Sequence, residues 1–106
     1  MISAAALAAI AAAIASSNVR EQSFVQGDET TLLVFRPAAT RHYAAGSAYA
    51  ALREQGLYLV GGRTLTDGRV AIEFAQRPVP RRGIAALCHE NSALPVATLA
   101  AAGWAI

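Results

Sequence analysis

Lysine is absent from this 106-residue chain; all nine basic side chains are arginines, from Arg20 to Arg82. Arginine's planar fork suits bidentate contact with phosphate or carboxylate, which is the chemistry of a binding surface. About one quarter of the chain is alanine, however. GC-rich coding yields that combination without any demand for arginine, so the missing lysine does not by itself name a function. Cysteine is almost as scarce. The single Cys88 excludes an internal disulfide framework and a four-thiolate zinc site, and a reducing, cytoplasmic setting is the simpler expectation. Net charge is scarce too: +2 is far below that of a typical nucleic-acid-binding domain, although the pI near 9.2 leaves that class open.

Catalytic signatures are also missing. Gly61-Gly62 lacks the lysine and the helix start of a phosphate loop, and no serine sits in a nucleophile-elbow pattern. Cys88, His89 and Glu90 are neighbours, but adjacent residues on a helix point about 100° apart and cannot readily form a nucleophile and base. A dyad would need His42, the only other histidine, and these residues lack the spaced pairs of a zinc motif. Glu21, Asp28, Glu29, Glu54, Asp67, Glu73 and Glu90 fall mainly in turns, exposed strand positions and helix ends, where solvation is their expected role. No catalytic residue, cofactor or metal is expected, and the chain reads as a non-enzyme.

What is present begins with an uncharged stretch, Ile2 to Ala15. Leu7, Ile10 and Ile14 recur there at three- and four-residue steps on a helix-favouring alanine background. The ridge suits packing on the chain's own sheet, or pairing with a second copy through Leu7, Ile10 and Ile14. Ala13-Ile14-Ala15 before Ser16 is similar to a signal-peptidase site, so export is the alternative if residues 1–15 act as a signal, though no basic residue precedes the stretch. Fourteen helical residues rise about 21 Å, short of a hydrocarbon core of about 30 Å, so a membrane span is not expected.

Val19 to Val25 and Thr30 to Arg36 read as strands joined around Gly27 and Asp28. The second is apolar on both faces, which places it centrally. Thr40 is the expected N-cap of a helix running to about Gln55, with Gly56 at the C′ position and Ala45, Ala48, Tyr49 and Leu52 on its apolar face. Leu57 to Leu65 and Arg69 to Ala75 form a second hairpin around Asp67-Gly68, with Val70, Ile72 and Phe74 alternating against Arg69, Ala71 and Glu73. A two-residue turn would put Leu65, Arg63, Gly61 and Leu59 on the face of Val70, Ile72 and Phe74. Residues 76–83 form a proline and arginine connector, followed by a short helix from Ile84 to Glu90 and a last helix from Ala93 to Ala102, capped by Ser92 and ended by Gly103. Arg36-Pro37 and Arg77-Pro78 suggest a repeated hairpin-plus-helix unit.

The fold class is therefore α+β in a single domain, 1–106. A four-stranded, mainly antiparallel sheet from two hairpins carries the central helix on one face, with N- and C-terminal helices around it. Val70, Ile72, Phe74, Leu57, Leu59, Leu33, Phe35 and Leu52 should be core. If helices cover only one face, Tyr58, Val60 and Ala71 form an exposed strip for a partner.

Three groups of residues are candidates for contact. His42, Gly46, Tyr49 and Arg53 fall on one stripe of the central helix. Arg63 and Arg69 flank the second turn, and the order of that helix and hairpin is similar to the recognition helix and wing of winged-helix DNA-binding proteins over about thirty residues. Strands at Val19 to Arg36 stand where that family has its helix-turn-helix, so no fold follows from the likeness. Arg81 and Arg82 could clamp an acidic group.

The expected function is a small non-catalytic module that binds another protein, in an adaptor, inhibitor or assembly role of the kind phages and mobile elements encode. Its candidate contacts are His42, Tyr49, Arg53, Tyr58, Arg63, Arg69, Arg81 and Arg82. The alternatives are nucleic-acid binding through the arginines and an exported or filament-forming subunit using the N-terminal helix.

Overall fold

A computed structural model describes residues 2–15, 19–37, 41–80, 83–87 and 93–106, with residues 41–45 described by their backbone alone. The elements are α1 (Ala4–Ala15), β1 (Val19–Gln26), β2 (Thr31–Pro37), α2 (Arg41–Glu54), β3 (Tyr58–Thr64), β4 (Val70–Ala75), α3 (Gly83–Leu87) and α4 (Val96–Ala101). The four strands form one antiparallel sheet in the order β1-β2-β4-β3. The α+β reading is correct.

Local chemistry explains most element boundaries. Ser3 starts α1, its Oγ accepting from the Ala6 N–H at 3.1 Å. Gly56, at φ 69, ends α2: the Leu57 N–H donates to Leu52 O and the Gly56 N–H to Arg53 O, a Schellman closure. Gly103, at φ 100, repeats that closure after α4, with the Trp104 N–H on Leu99 O and the Gly103 N–H on Ala100 O. The start of α4 differs from expectation. Its N-cap is Pro95, while Leu94 is extended against the end of β3, as the residue before a proline prefers. Ser92 and Thr40, the expected caps, lie outside the described residues.

The chain buries both faces of the sheet. On the first face Leu33, Phe35, Val70, Ile72 and Phe74 pack under Ile10 and Ile14 of α1 and Ala48, Ala51 and Leu52 of α2. Phe24 meets Phe74 edge-on there, with ring centroids 6.3 Å apart. On the second face Leu32, Val34 and Ala71 pack under Ile84, Leu99 and Trp104. The exposed strip anticipated at Tyr58, Val60 and Ala71 therefore does not form, because Ala71 is fully buried there and Val60 is half-buried. The N-terminal ridge turns inward, with Ile10 and Ile14 buried completely and Leu7 in part. No helix among the described residues is long and apolar enough to cross a membrane.

The repeated unit differs from the one suggested by the proline dipeptides. α1 with its hairpin and α2 with its hairpin are the equivalent pairs: β2 and β4 lie side by side at the centre, the helices touch on one face, and three residues separate each helix from its edge strand. Each edge strand also carries a bulge near its start, at Glu21-Gln22 in β1 and Val60 in β3. α3 is not α2's counterpart, because it packs on the opposite face.

The second hairpin's register differs by one residue from the expected one. Its turn is longer than Asp67-Gly68: the Leu65 N–H reaches Arg69 O at 2.7 Å and the Gly68 N–H reaches Leu65 O at 3.0 Å, with Gly68 at φ 92. One extra turn residue swaps the faces. Gly61 therefore stands opposite Glu73 and Arg63 opposite Ala71, while Leu65 joins the second-face core. The bulge at Val60 then returns Leu59 to the expected face, where it stands opposite Phe74 in the place expected for Gly61. Leu59 is nevertheless half exposed, at the sheet's margin rather than in the core.

Candidate protein interface

β3 is the outermost strand on its side of the sheet, and the exposed bulk of the protein collects around it. The large apolar side chains that remain exposed among the described residues are Tyr49, Tyr58 and Leu59, at 37%, 47% and 50%. Tyr58 and Leu59 open β3, one on each face, opposite Ala75 and Phe74. Tyr49 reaches over the same strand from α2, its hydroxyl 3.1 Å from where a Cβ on Gly62 would stand. Gly61 and Gly62 leave room for the elements above and below, since a Cβ at Gly61 would press on Ala85 of α3 at 3.0 Å. The helix stripe is less coherent: Gly46 faces open space, and the His42 side chain lies outside the description.

The outer edge of β3 is partly occupied by the chain itself. The Leu94 N–H donates to Thr64 O at 2.9 Å and the Thr66 N–H to Leu94 O at 3.1 Å, a short parallel pairing. From Tyr58 to Gly62 no described residue pairs with that edge. An edge of this kind presents alternating N–H and C=O groups to an incoming strand.

Arg53, Arg63 and Arg69, among the described residues, sit in three different settings. Arg53 is exposed in the last turn of α2, and Arg63 is half-buried on the second face. Arg69 is committed to its own turn, with Nε 2.7 Å from Asp67 Oδ2 and its N–H on Oδ1 at 3.1 Å. Burial raises the Asp67 carboxyl, but the Arg69 amide and guanidinium, with Arg36 nearby, outweigh it and hold the group below the usual carboxylate range. Arg36 belongs to the same end of the sheet and spans Glu21 and the Asp67 carbonyl. Arg81, Arg82, Cys88, His89 and Glu90 lie outside the described residues.

Sequence reasoning missed Leu59 as a surface residue and Glu73 as a buried one. Glu73 is fully buried on the second face rather than solvated. The available signal was β2: a strand apolar on both faces needs cover on both, and so does the neighbour paired with it. Two cavities of about 420 and 390 Å³ flank the turn from Gln26 to Thr30, the first lined by Ile2 and the second walled by Trp104 and Gly83. Among the described residues no three His, Cys, Asp or Glu side chains gather as metal ligands would. Comparison with protein-family models, curated proteins and solved structures finds no match to this chain.

Proposed function

We propose that this chain is a small protein-binding module that takes an extended segment of a partner protein along the outer edge of β3. The observation that carries the reading is the exposure of Tyr49, Tyr58 and Leu59 around a strand edge that no described residue pairs with from Tyr58 to Gly62. Backbone groups on such an edge supply affinity, and side-chain contacts on alternate positions supply selectivity. Tyr58 and Leu59 point to opposite faces, so a segment beside them meets an apolar contact on each side. The pairing of Leu94 at Thr64 and Thr66 is an internal precedent for strand addition at this edge. Adaptor, inhibitor and assembly roles are forms of the same activity and take no catalytic group.

The test compares the full chain with a Tyr58→Ser, Leu59→Asp variant that keeps its circular dichroism. Partners captured from host lysate are purified and their affinities measured directly. Support is a direct partner whose binding is lost in the variant. Equal binding by the variant overturns the reading, as does tight binding to duplex DNA or single-stranded RNA that weakens along a multi-charge salt slope.

A further inference from the structure

The core of the second face is apolar except where Glu73 stands, with Arg63 half-buried beyond it opposite Ala71. The Glu73 carboxyl is fully buried beneath α3 and the Trp104 tail, beside Leu32, Ala71 and Ile84. Oε2 accepts from Thr30 Oγ1 at 2.7 Å and Oε1 from the Ala85 N–H at 3.3 Å. Both donors are neutral.

Among the described residues no charged side chain is bonded to it; Arg81 and Arg82, which precede Gly83, lie outside them. α3 and α4 carry no charged residue, and Ala71 and Ala75 flank Glu73 on its own strand. β2 places Leu32 opposite and Arg36 at the far end, where Glu21 and Asp67 engage it. β3 places Gly61 opposite, with Arg63 further along beside Ala71. The turn before β2 places the exposed Asp28 and Glu29 next to Thr30 in the chain. A buried carboxylate held only by neutral donors is costly compared with its protonated form.

The cover over this carboxyl is thin. Gly83, at φ 54, lies so close that a Cβ there would overlap the carboxyl and touch the Trp104 ring. The ring also rests on Gly27, where a Cβ would meet Cη2 at 2.8 Å. Thr30, Gly83 and Trp104 form the wall between Glu73 and the cavity of about 390 Å³. α3 has five residues, too few to persist without its packing.

We infer that Glu73 is the latch of a proton-controlled cover: protonated, it lets α3 and the Trp104 tail seat on the second face; ionised, it draws water past Trp104 and loosens both, uncovering Leu32, Val34 and Ala71. The direction of titration agrees. Burial pushes the Glu73 carboxyl up, and the opposing pull of Thr30 and the Ala85 and Ile84 amides does not cancel it. Release therefore comes above the ordinary glutamate range.

Trp104 is the only tryptophan in the chain and reports directly on the cover. Its emission and acrylamide quenching are followed in the full chain from about pH 4 to about pH 9. The expected result is a red shift and a severalfold rise in quenching as pH increases. Glu73→Gln should stay flat across the range. Thr30→Val, which removes a donor that favours the carboxylate, should move the midpoint to higher pH. Circular dichroism establishes that each variant is folded; if Glu73→Gln is not, the Thr30→Val midpoint decides. A flat wild-type profile, an unchanged transition in folded Glu73→Gln, or an unmoved Thr30→Val midpoint each overturns the latch.

Discussion

Arg36 Nε donates to Glu21 Oε2 at 3.1 Å, reaching from β2 to the one non-glycine residue with a positive φ among those described. The same guanidinium donates through Nη1 to the Asp67 carbonyl at 2.9 Å, so the bulge of β1 and the turn of the second hairpin share one side chain. Both partners of the ion pair are exposed, which limits its contribution. Arg36→Ala should lower the stability by about 1 kcal/mol or less, read as a small fall in urea midpoint.

Glycines at three positions should respond differently to alanine. Gly46 lies within α2 with nothing near its Cβ position, so Gly46→Ala should stabilise by about 1 kcal/mol through helix propensity. At Gly27 the new methyl would collide with Trp104 and the Thr30 carbonyl, and at Gly83 with Glu73 in a left-handed backbone. Those two should each destabilise by about 1–3 kcal/mol. Thermal midpoints of the three variants check the order.

Side chains of similar chemistry should separate by position. Ile14→Ala removes a fully buried contact between α1 and the sheet and should cost about 2–5 kcal/mol. Leu59→Ser, at the half-exposed margin, should cost about 1 kcal/mol or less. Denaturant unfolding distinguishes a helix that belongs to the core from one that merely precedes it.

Glu73 and Asp67 should tilt stability in opposite directions with pH. The folded pKa of Glu73 is raised, so its contribution is full below the ordinary glutamate value and is lost as pH climbs through the folded value. The folded pKa of Asp67 is lowered, so its contribution is present above the ordinary aspartate value and is lost as pH falls through the folded value. The Asp67 side chain is more than a third exposed, and solvent screening keeps its effect small. Urea midpoints measured across pH should decline on the alkaline side in wild type, and Glu73→Gln should remove that decline.

The sheet was legible wherever a residue's own chemistry sets its geometry. The alternation of Val70, Ile72 and Phe74 marked a strand with a buried face, and Gly56 and Gly103 ended their helices as the motif requires. Register was not legible, since Asp67-Gly68 marks a turn without fixing its length, and one residue more sends Leu65 and Arg63 to the other face. The placement of α3 and Trp104 depends on contacts between distant segments, which local pattern does not encode. That is why Glu73, polar in an alternating strand, read as solvated. Of the candidate contacts, Tyr49 lies over Gly62 on one face of β3 and Tyr58 opens the strand on the other, whereas Arg69 belongs to its turn.

The strand order also sets a schedule for folding. Each hairpin closes over neighbouring residues, but β2 receives its second neighbour only when Leu33 finds Ile72 and Phe35 finds Val70 across the intervening helix and strand. On a chain emerging from a ribosome, β2 is finished early, apolar on both faces, and waits for β4 to be synthesised. Its two bare faces make that interval the step most prone to aggregation, and mutations that slow the β2–β4 pairing should cut soluble yield more than they cut equilibrium stability.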